Sequence, residues 1–351
     1  MPRARRFAVG DPQAPLSRLR AILARHALLR DDGRLLDDGG LVSLGDHFDH
    51  GGAAERRAAA RDGLEVLDWL ASHPPDQVVL IAGNHDLARV GELCGFSDED
   101  FERAHAEACE AYRDGDVDPE REARLLARYP ALPTAELAAR DFAAFQVAQR
   151  ERVEALLRAR RLRLAHAEGG VLYCHAGVTV DVLRVLDLPD DAEAAAIAEA
   201  LDRRLDQALD AWRGGPLAIP ELHRPGSADH GEGVGMLYHR PAHPDVPANA
   251  GYALRGTLSR RFDARRIPQG LTQVVGHIGD RKCRELLGPW ADDAPARGGV
   301  LRHLVTDGTT VRYAHGLPPA HDERVGTMIF IDGGMARTPV DDYALLPLPL
   351  R

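Results

Sequence analysis

Apolar residues along the first ninety positions fall into two kinds of run. "RFAVG" (6–10), "LVSLG" (41–45) and "QVVLIAG" (77–83) are short and nearly continuous. Each predicts a strand buried on both faces, as in a parallel sheet. Between them, residues 15–29 place apolar side chains at 16, 19, 22, 23, 28 and 29, and residues 53–73 are Ala-rich and amphipathic. Both spacings predict helices. Strands alternating with helices predict a parallel α/β arrangement, in which ligands bind beyond the carboxyl ends of the strands.

Residues 96–165 break this rhythm. They are rich in Ala, Glu, Arg and Leu and poor in strand formers, with interruptions near Gly115–Pro119 and Pro130–Pro133. We expect about three helices here, forming a solvated insertion between strands. The strand pattern resumes at "GGVLYCHAG" (169–177), and a helix follows at about 191–212. Residues 214–251 are rich in Gly, Pro and His and predict a long loop. "LTQVVGH" (271–277), "GVLRHLV" (299–305), "TTVRYA" (309–314) and "GTMIFIDGG" (326–334) are later strands, with "DGT" as a turn signal.

Composition narrows the class. A hydrophobic share of 44% supports a sizeable core in a chain of 351 residues. A net charge of −10 argues against a nucleic-acid backbone as the main partner. No run approaches the roughly 20 apolar residues of a membrane span. Cys94, Cys109, Cys174 and Cys283 form no CxxC pair, which predicts reduced thiols, with a Cys94–Cys109 disulfide as the alternative. The expectation is a cytoplasmic protein.

Candidate chemistry collects at the strand exits. "GDPQ" supplies Asp11 and Gln13, "GDHFDHG" supplies Asp46, "GNHD" supplies Asn84, His85 and Asp86, "CHAG" supplies His175, and "GHIG" supplies His277. Asp and His crowded at one exit repel unless a cation is present. Oxygen and imidazole donors suit divalent manganese, iron or zinc, and Asp46 is the natural bridge of a two-metal site.

In this order the motifs resemble those of the calcineurin-like metallophosphoesterases, and within them the phosphoprotein-phosphatase group, with its Shewanella-like bacterial branch. "GDHFDHG" is similar to GDxxDRG, "GNHD" to GNHE, and "IFIDGGM" to the late strand of that branch. The resemblance implies one domain over residues 1–351, a four-layer α-β-β-α sandwich with 96–165 as a helical insertion and possible cap. It implies two divalent metals, most simply manganese, with iron, zinc or magnesium as alternatives. Asp11, Gln13 and Asp46 would hold the first, and Asp46, Asn84, His175 and His277 the second. His85, held by Asp86, would be the general acid. Arg240, in "GMLYHRP", would grip phosphate.

The resemblance also implies a phosphomonoesterase acting on a phosphorylated protein or small molecule, by attack of a water activated between the metals. The alternatives are a dinucleoside polyphosphate or phosphodiester hydrolase, and a metal-binding scaffold weakened in catalysis. Two departures bear on this. Gln13 stands where the family has a His ligand, which favours manganese or magnesium. His50 stands where the family has a phosphate-binding Arg. His47 is a possible substitute ligand, Arg255 and Arg281 are reserve phosphate contacts, and His223, His230, His239 and His243 are expected to be mostly solvated.

Overall fold

The structure is a computed structural model and describes residues 5–246, 258–319 and 322–348. Strands β1 (Arg5–Val9), β2 (Gly39–Ser43) and β3 (Val78–Ile81) run parallel, and β4 (Leu162–Arg163) extends them beyond β3. A second sheet holds β5 (Ala165–Glu168), β6 (Val171–Cys174), β7 (Thr272–Val275), β8 (Arg302–Thr306), β9 (Val311–His315) and β10 (Gly326–Phe330). Its spatial order is β9-β8-β10-β7-β6-β5, with β6, β7 and β10 parallel to one another. A last strand, β11 (Leu346–Leu348), pairs antiparallel with β1.

The period-two alternation of side chains explains how the sheets stack. Ala8, Val42 and Ile81 of the first sheet form one buried cluster with Tyr173, Val274 and Ile329 of the second. Their neighbours Leu41, Leu80, Leu172 and Phe330 face the other way and join the core against the helices. The two sheets therefore share one apolar cluster, and their opposite faces join the core that includes the helices. Each fully buried Leu, Ile or Val stabilises this arrangement by roughly 1.5–3 kcal/mol.

Helix α1 (Leu16–Arg25) buries Leu19, Ile22 and Leu23, and α2 (Arg56–Ala71) buries Val66, Leu67 and Leu70. The short α3 (Asn84–Ala88) starts directly after β3. Two further helices follow, α4 (Asp98–Ala111) and α5 (Pro119–Arg128). Ser97 caps α4 by accepting from the Asp100 N–H at 3.0 Å, and Asp118 caps α5 ahead of Pro119.

The stretch 96–165 divides in two. Residues 93–145 carry a core of their own, including Phe96, Phe101, Leu125, Leu132, Phe142 and Phe145. By contrast, α6 (Val147–Arg158) packs Val153, Leu156 and Leu157 into the main core, and β4 pairs with β3. The compositional boundary at 165 thus runs past the helical unit, because α6 is as charged outside as its neighbours are.

After β6 come α7 (Val180–Val185) and α8 (Ala194–Ala211), and α9 (Asp280–Leu287) follows β7. The described part of the long 214–251 segment is ordered by short pairings. His223–Arg224 pairs with Val234–Gly235, and Arg240–Ala242 with Arg261–Asp263. His223 and His239 are buried, contrary to the solvated reading; His230 is exposed and His243 half-buried. Arg255 lies outside the described residues. All four cysteines are free.

Candidate active site

The carboxyl ends of β1, β2 and β3 from one sheet meet those of β6 and β7 from the other. Just past them the backbone enters the left-handed region at Asp11 (φ 41°), Asp46 (φ 52°) and His277 (φ 65°). Each such residue costs on the order of 1 kcal/mol or more, and such outliers cluster at functional sites. Two glycines make the close approach possible. A Cβ on Gly83 would lie 2.0 Å from Asp46 Oδ1, and one on Gly276 would lie 2.0 Å from Asp11 Oδ1. Backbone donors fix both carboxylates: the His85 N–H reaches Asp46 Oδ1 at 2.9 Å, and the His277 N–H reaches Asp11 at 3.0 Å.

Asp46, His175 and His277 are buried and offer ligand atoms within 4.8 Å of one another. His175 Nδ1 lies 2.7 Å from the Leu44 carbonyl and must donate there. A neutral ring then carries its lone pair on Nε2. That lone pair faces Asn84 Oδ1 at 3.0 Å, His277 Nδ1 at 3.1 Å and Asp46 Oδ2 at 3.5 Å. The Asn84 and Asp46 oxygens accept, as the Nε2 lone pair does, and a cation between them would satisfy all three; His277 Nδ1 joins them when its ring is protonated at Nε2. Buried His277 Nε2 has no hydrogen-bond partner. Burial, then the charges of Asp332 and Asp46, push the Asp11 carboxyl well above its usual range. Burial, Arg240 and His175 push His277 well below its usual range, so it stays neutral and able to ligate. The donor set fits a divalent metal.

The imidazole of His85 beside this cluster is held differently from the sequence expectation. His85 Nδ1 lies 2.7 Å from Asp49 Oδ2, not beside Asp86. Asp49 is in turn gripped by the guanidinium of Arg89, at 2.7 and 2.9 Å, and by the Ala144 N–H at 3.2 Å. Burial alone would lower His85; the carboxylates of Asp46, Asp49 and Asp141 outweigh it and raise the imidazole to about 9. Burial likewise opposes ionisation of Asp49, but Arg89 and His85 hold it below the usual carboxylate range.

Asp86 instead faces His47. Its oxygens accept from the N–H groups of Gly83, Asp46 and His47 at 2.8–3.1 Å, and one lies 3.0 Å from His47 Nδ1. Burial would raise this carboxyl, but His47 and the backbone donors keep it lowered. His47 Nε2 reaches Ser43 Oγ at 3.0 Å, so both its nitrogens are engaged and it is no substitute ligand. The trio is fully buried and ties the β2 and β3 exits together.

A cavity of about 810 Å³ opens over the site, with Asp11, Gln13, Asp49, His50 and His85 on its wall. Gln13 Nε2 donates to the Phe48 carbonyl at 2.7 Å, leaving its oxygen as the atom that can face a cation. His50 Nε2 lies 3.2 Å from Asp62. Arg240 begins the short strand Arg240–Ala242, and its charge reaches His277. Arg281 lines the cavity rim and pairs with Glu285 at 3.2 Å.

The sequence reading gave no role to Asp49, Arg89, Arg302 or Asp332. Asp49 carried the one available signal, as the second carboxylate of "GDHFDHG". Arg302 is fully buried and donates to the carbonyls of Ile278 and Asp332 at 2.9 and 2.5 Å, fixing the loop after His277. From the helical segment, Arg140 and Asp141 line the cavity and the Phe142 ring stands edge-on to His85 at 6.0 Å.

Two α/β sheets thus converge on a buried His/Asp cluster that suits a divalent metal, with His85 held alongside by Asp49. Residues 5–242 match the family of calcineurin-like phosphoesterases, and the chain belongs to that family. It is a metallophosphoesterase. Among solved structures it is similar to a mutant cold-active protein tyrosine phosphatase, at 16% identity over 94% of this chain and 71% of that one, with a TM-score of 0.37. The cold-active protein-tyrosine phosphatase of a psychrophilic Shewanella species matches at 17% identity over 78% of this chain and 66% of that one, with a TM-score of 0.34. No curated protein sequence matches significantly. No helix among the described residues is long and apolar enough to cross a membrane.

Proposed function

We propose that the chain hydrolyses phosphate monoesters, with two divalent cations and a phosphorylated protein or small molecule as substrate. The observation that carries this reading is the position of His85. It lies beside the candidate metal cluster, and its Nδ1 is held by Asp49 at 2.7 Å. Asp11, Gln13 and Asp46 would hold one cation; Asp46, Asn84, His175 and His277 would hold the other. Three carboxylate or amide oxygens at the first position favour manganese or magnesium there. Bound cations supply charge neutralisation for phosphoryl oxygens and acidify water.

The chain's own residues do the rest. His85 presents its Nε2 proton toward the leaving oxygen, 4.0 Å from Asp46 Oδ2. When the P–O ester bond breaks, that proton passes to the departing alkoxide. Asp49 holds the ring and Arg89 holds Asp49. Arg240 and His50 are the contacts proposed for the phosphoryl oxygens. Residues 140–144 act as the edge of a cap that limits what leaving group fits. The four free thiols accord with a reducing, cytoplasmic setting.

The test is release of phenol from phenyl phosphate with added manganese. His85→Asn should lower kcat by about 10²–10⁴-fold while metal content is retained. Activity surviving both Asn84→Ala and His175→Ala would refute the reading.

A further inference from the structure

The chain as a whole is acidic, yet the cavity over the site is rimmed by Arg140, Arg281, Lys282, Arg297 and Arg337. Three of these cations are answered by local carboxylates. Arg140 meets Asp141 at 2.8 Å and Glu136 at 2.9 Å, while Arg281 and Lys282 share Glu285 at 3.2 and 3.3 Å. Two further carboxylates line this wall: Asp332, whose Oδ1 accepts from the Gly334 N–H at 2.9 Å, and Asp280. Asp280 is occupied by Tyr313 Oη at 2.7 Å, His315 Nε2 at 2.7 Å, Arg284 Nε at 3.0 Å and the Arg297 backbone N–H at 2.8 Å. Among the described residues, no carboxylate pairs with the guanidinium of Arg297 or Arg337; both side chains are exposed.

These two arginines stand on loops that are locked together. The Gly299 N–H donates to the Gly333 carbonyl at 2.9 Å, and Thr338 Oγ1 donates to the same carbonyl at 2.7 Å. A Cβ on Gly298 would lie 2.7 Å from Thr338 Oγ1, so the loops touch at the residue beside Arg297. The second loop leaves β10 through Asp332, which lines the cavity with Asp11. Two guanidiniums without a carboxylate partner, on loops joined by hydrogen bonds and lining the cavity that also holds Asp11 and His85, suit a further phosphate group.

We propose that Arg297 and Arg337 form a second anion subsite that takes a second phosphoryl group of the substrate, so that bisphosphorylated esters are preferred. This rests on the phosphomonoesterase reading above. One ester P–O bond is hydrolysed, water supplying the new oxygen and His85 the proton to the leaving oxygen. The second phosphate stays attached to the leaving group and is held at the rim.

The experiment compares kcat/KM for 1,3- and 1,4-benzenediol bisphosphate with that for phenyl phosphate, with manganese present. The double variant R297Q/R337Q should lower the bisphosphate-to-monophosphate ratio by about tenfold, the size expected of one or two charge-assisted hydrogen bonds at a solvated rim. R312A, an exposed arginine on β9 outside the cavity, should leave the ratio unchanged. Raising the salt concentration should reduce the wild-type ratio toward that of the double variant. A ratio that R297Q/R337Q does not move overturns the subsite alone. Absence of turnover on all three esters overturns the phosphomonoesterase reading, and the subsite with it.

Discussion

At the scale of single residues, the site depends on which carboxylate each histidine faces. Asp49 and Asp86 lie in neighbouring motifs, and both are buried beside an imidazole. Their tasks differ because His85 lies on the cavity wall whereas His47 is fully enclosed. Asp49→Asn should therefore lower kcat on an aryl phosphate by about 10²-fold or more with metal content unchanged, since the acid loses its orienting charge. It should also destabilise the fold by roughly 3 kcal/mol, because Arg89 keeps its buried charge without a counterion. Asp86→Asn should act through stability and metal retention instead, because the N–H groups of Gly83, Asp46 and His47 lose a charged acceptor. Turnover per bound metal separates the two. If Asp86→Asn matched the kcat loss of Asp49→Asn at full metal occupancy, the assignment of His85 to Asp49 would be wrong.

At the scale of elements, the segment carrying His223 and His239 contributes to the loss of stability in acid. His223 is 1% exposed and stacks on Tyr238 with ring centroids 5.8 Å apart; neither of its nitrogens finds a partner. Burial lowers it to about 3, and lowers His239 to about 4. Both are neutral in the folded chain, while the unfolded chain binds protons near pH 6.5. The stability they permit is thus present above about pH 6.5. It falls as the pH drops toward 4, by up to about 1.4 kcal/mol per unit for each histidine. Thermal melts from pH 7 to 4.5 should show this slope, and His223→Phe, which keeps the stack, should flatten it. An identical slope in that variant would remove His223 from the account. The same segment shows why part of the fold was illegible. Continuous apolar runs such as "LVSLG" identified β2, β3, β6 and β7, because a strand buried on both faces leaves no other reading. Strand β5 ("AHAE") is an edge with polar side chains, and β11 carries a Pro that only an edge tolerates. The first has no apolar run to betray it, and in the second the prolines interrupt the leucines. The partner of His85 was hidden for a related reason: left-handed backbone at Asp46 and Asp49 breaks the pleat, so spacing no longer tells where a side chain points.

At the scale of the molecule, the site is the seam between two sheets. Asp11, Asp46 and Asn84 come from one sheet, His175 and His277 from the other, and the apolar cluster behind them holds the layers together. The order of the candidate ligands could be read along the chain, but the seam could not, because no local pattern says that β6 leaves the first sheet. Cations bound there would bridge the sheets at the end where like charges meet, in addition to the apolar contacts. Metal that binds only the folded chain at a free concentration 100 times its Kd should stabilise the fold by about 2.7 kcal/mol. Treating the metal-loaded protein with a chelator should lower its melting temperature accordingly. Amide hydrogen exchange should then rise at residues 45–49, 83–86, 175–177 and 276–278, the strand exits that bear the ligands. The 93–145 unit has its own core and meets the site through residues 140–144. Exchange in α4 and α5 should accordingly stay as it was. Uniform loosening of the whole chain, or none at the exits, would mean that the cations do not join the two sheets.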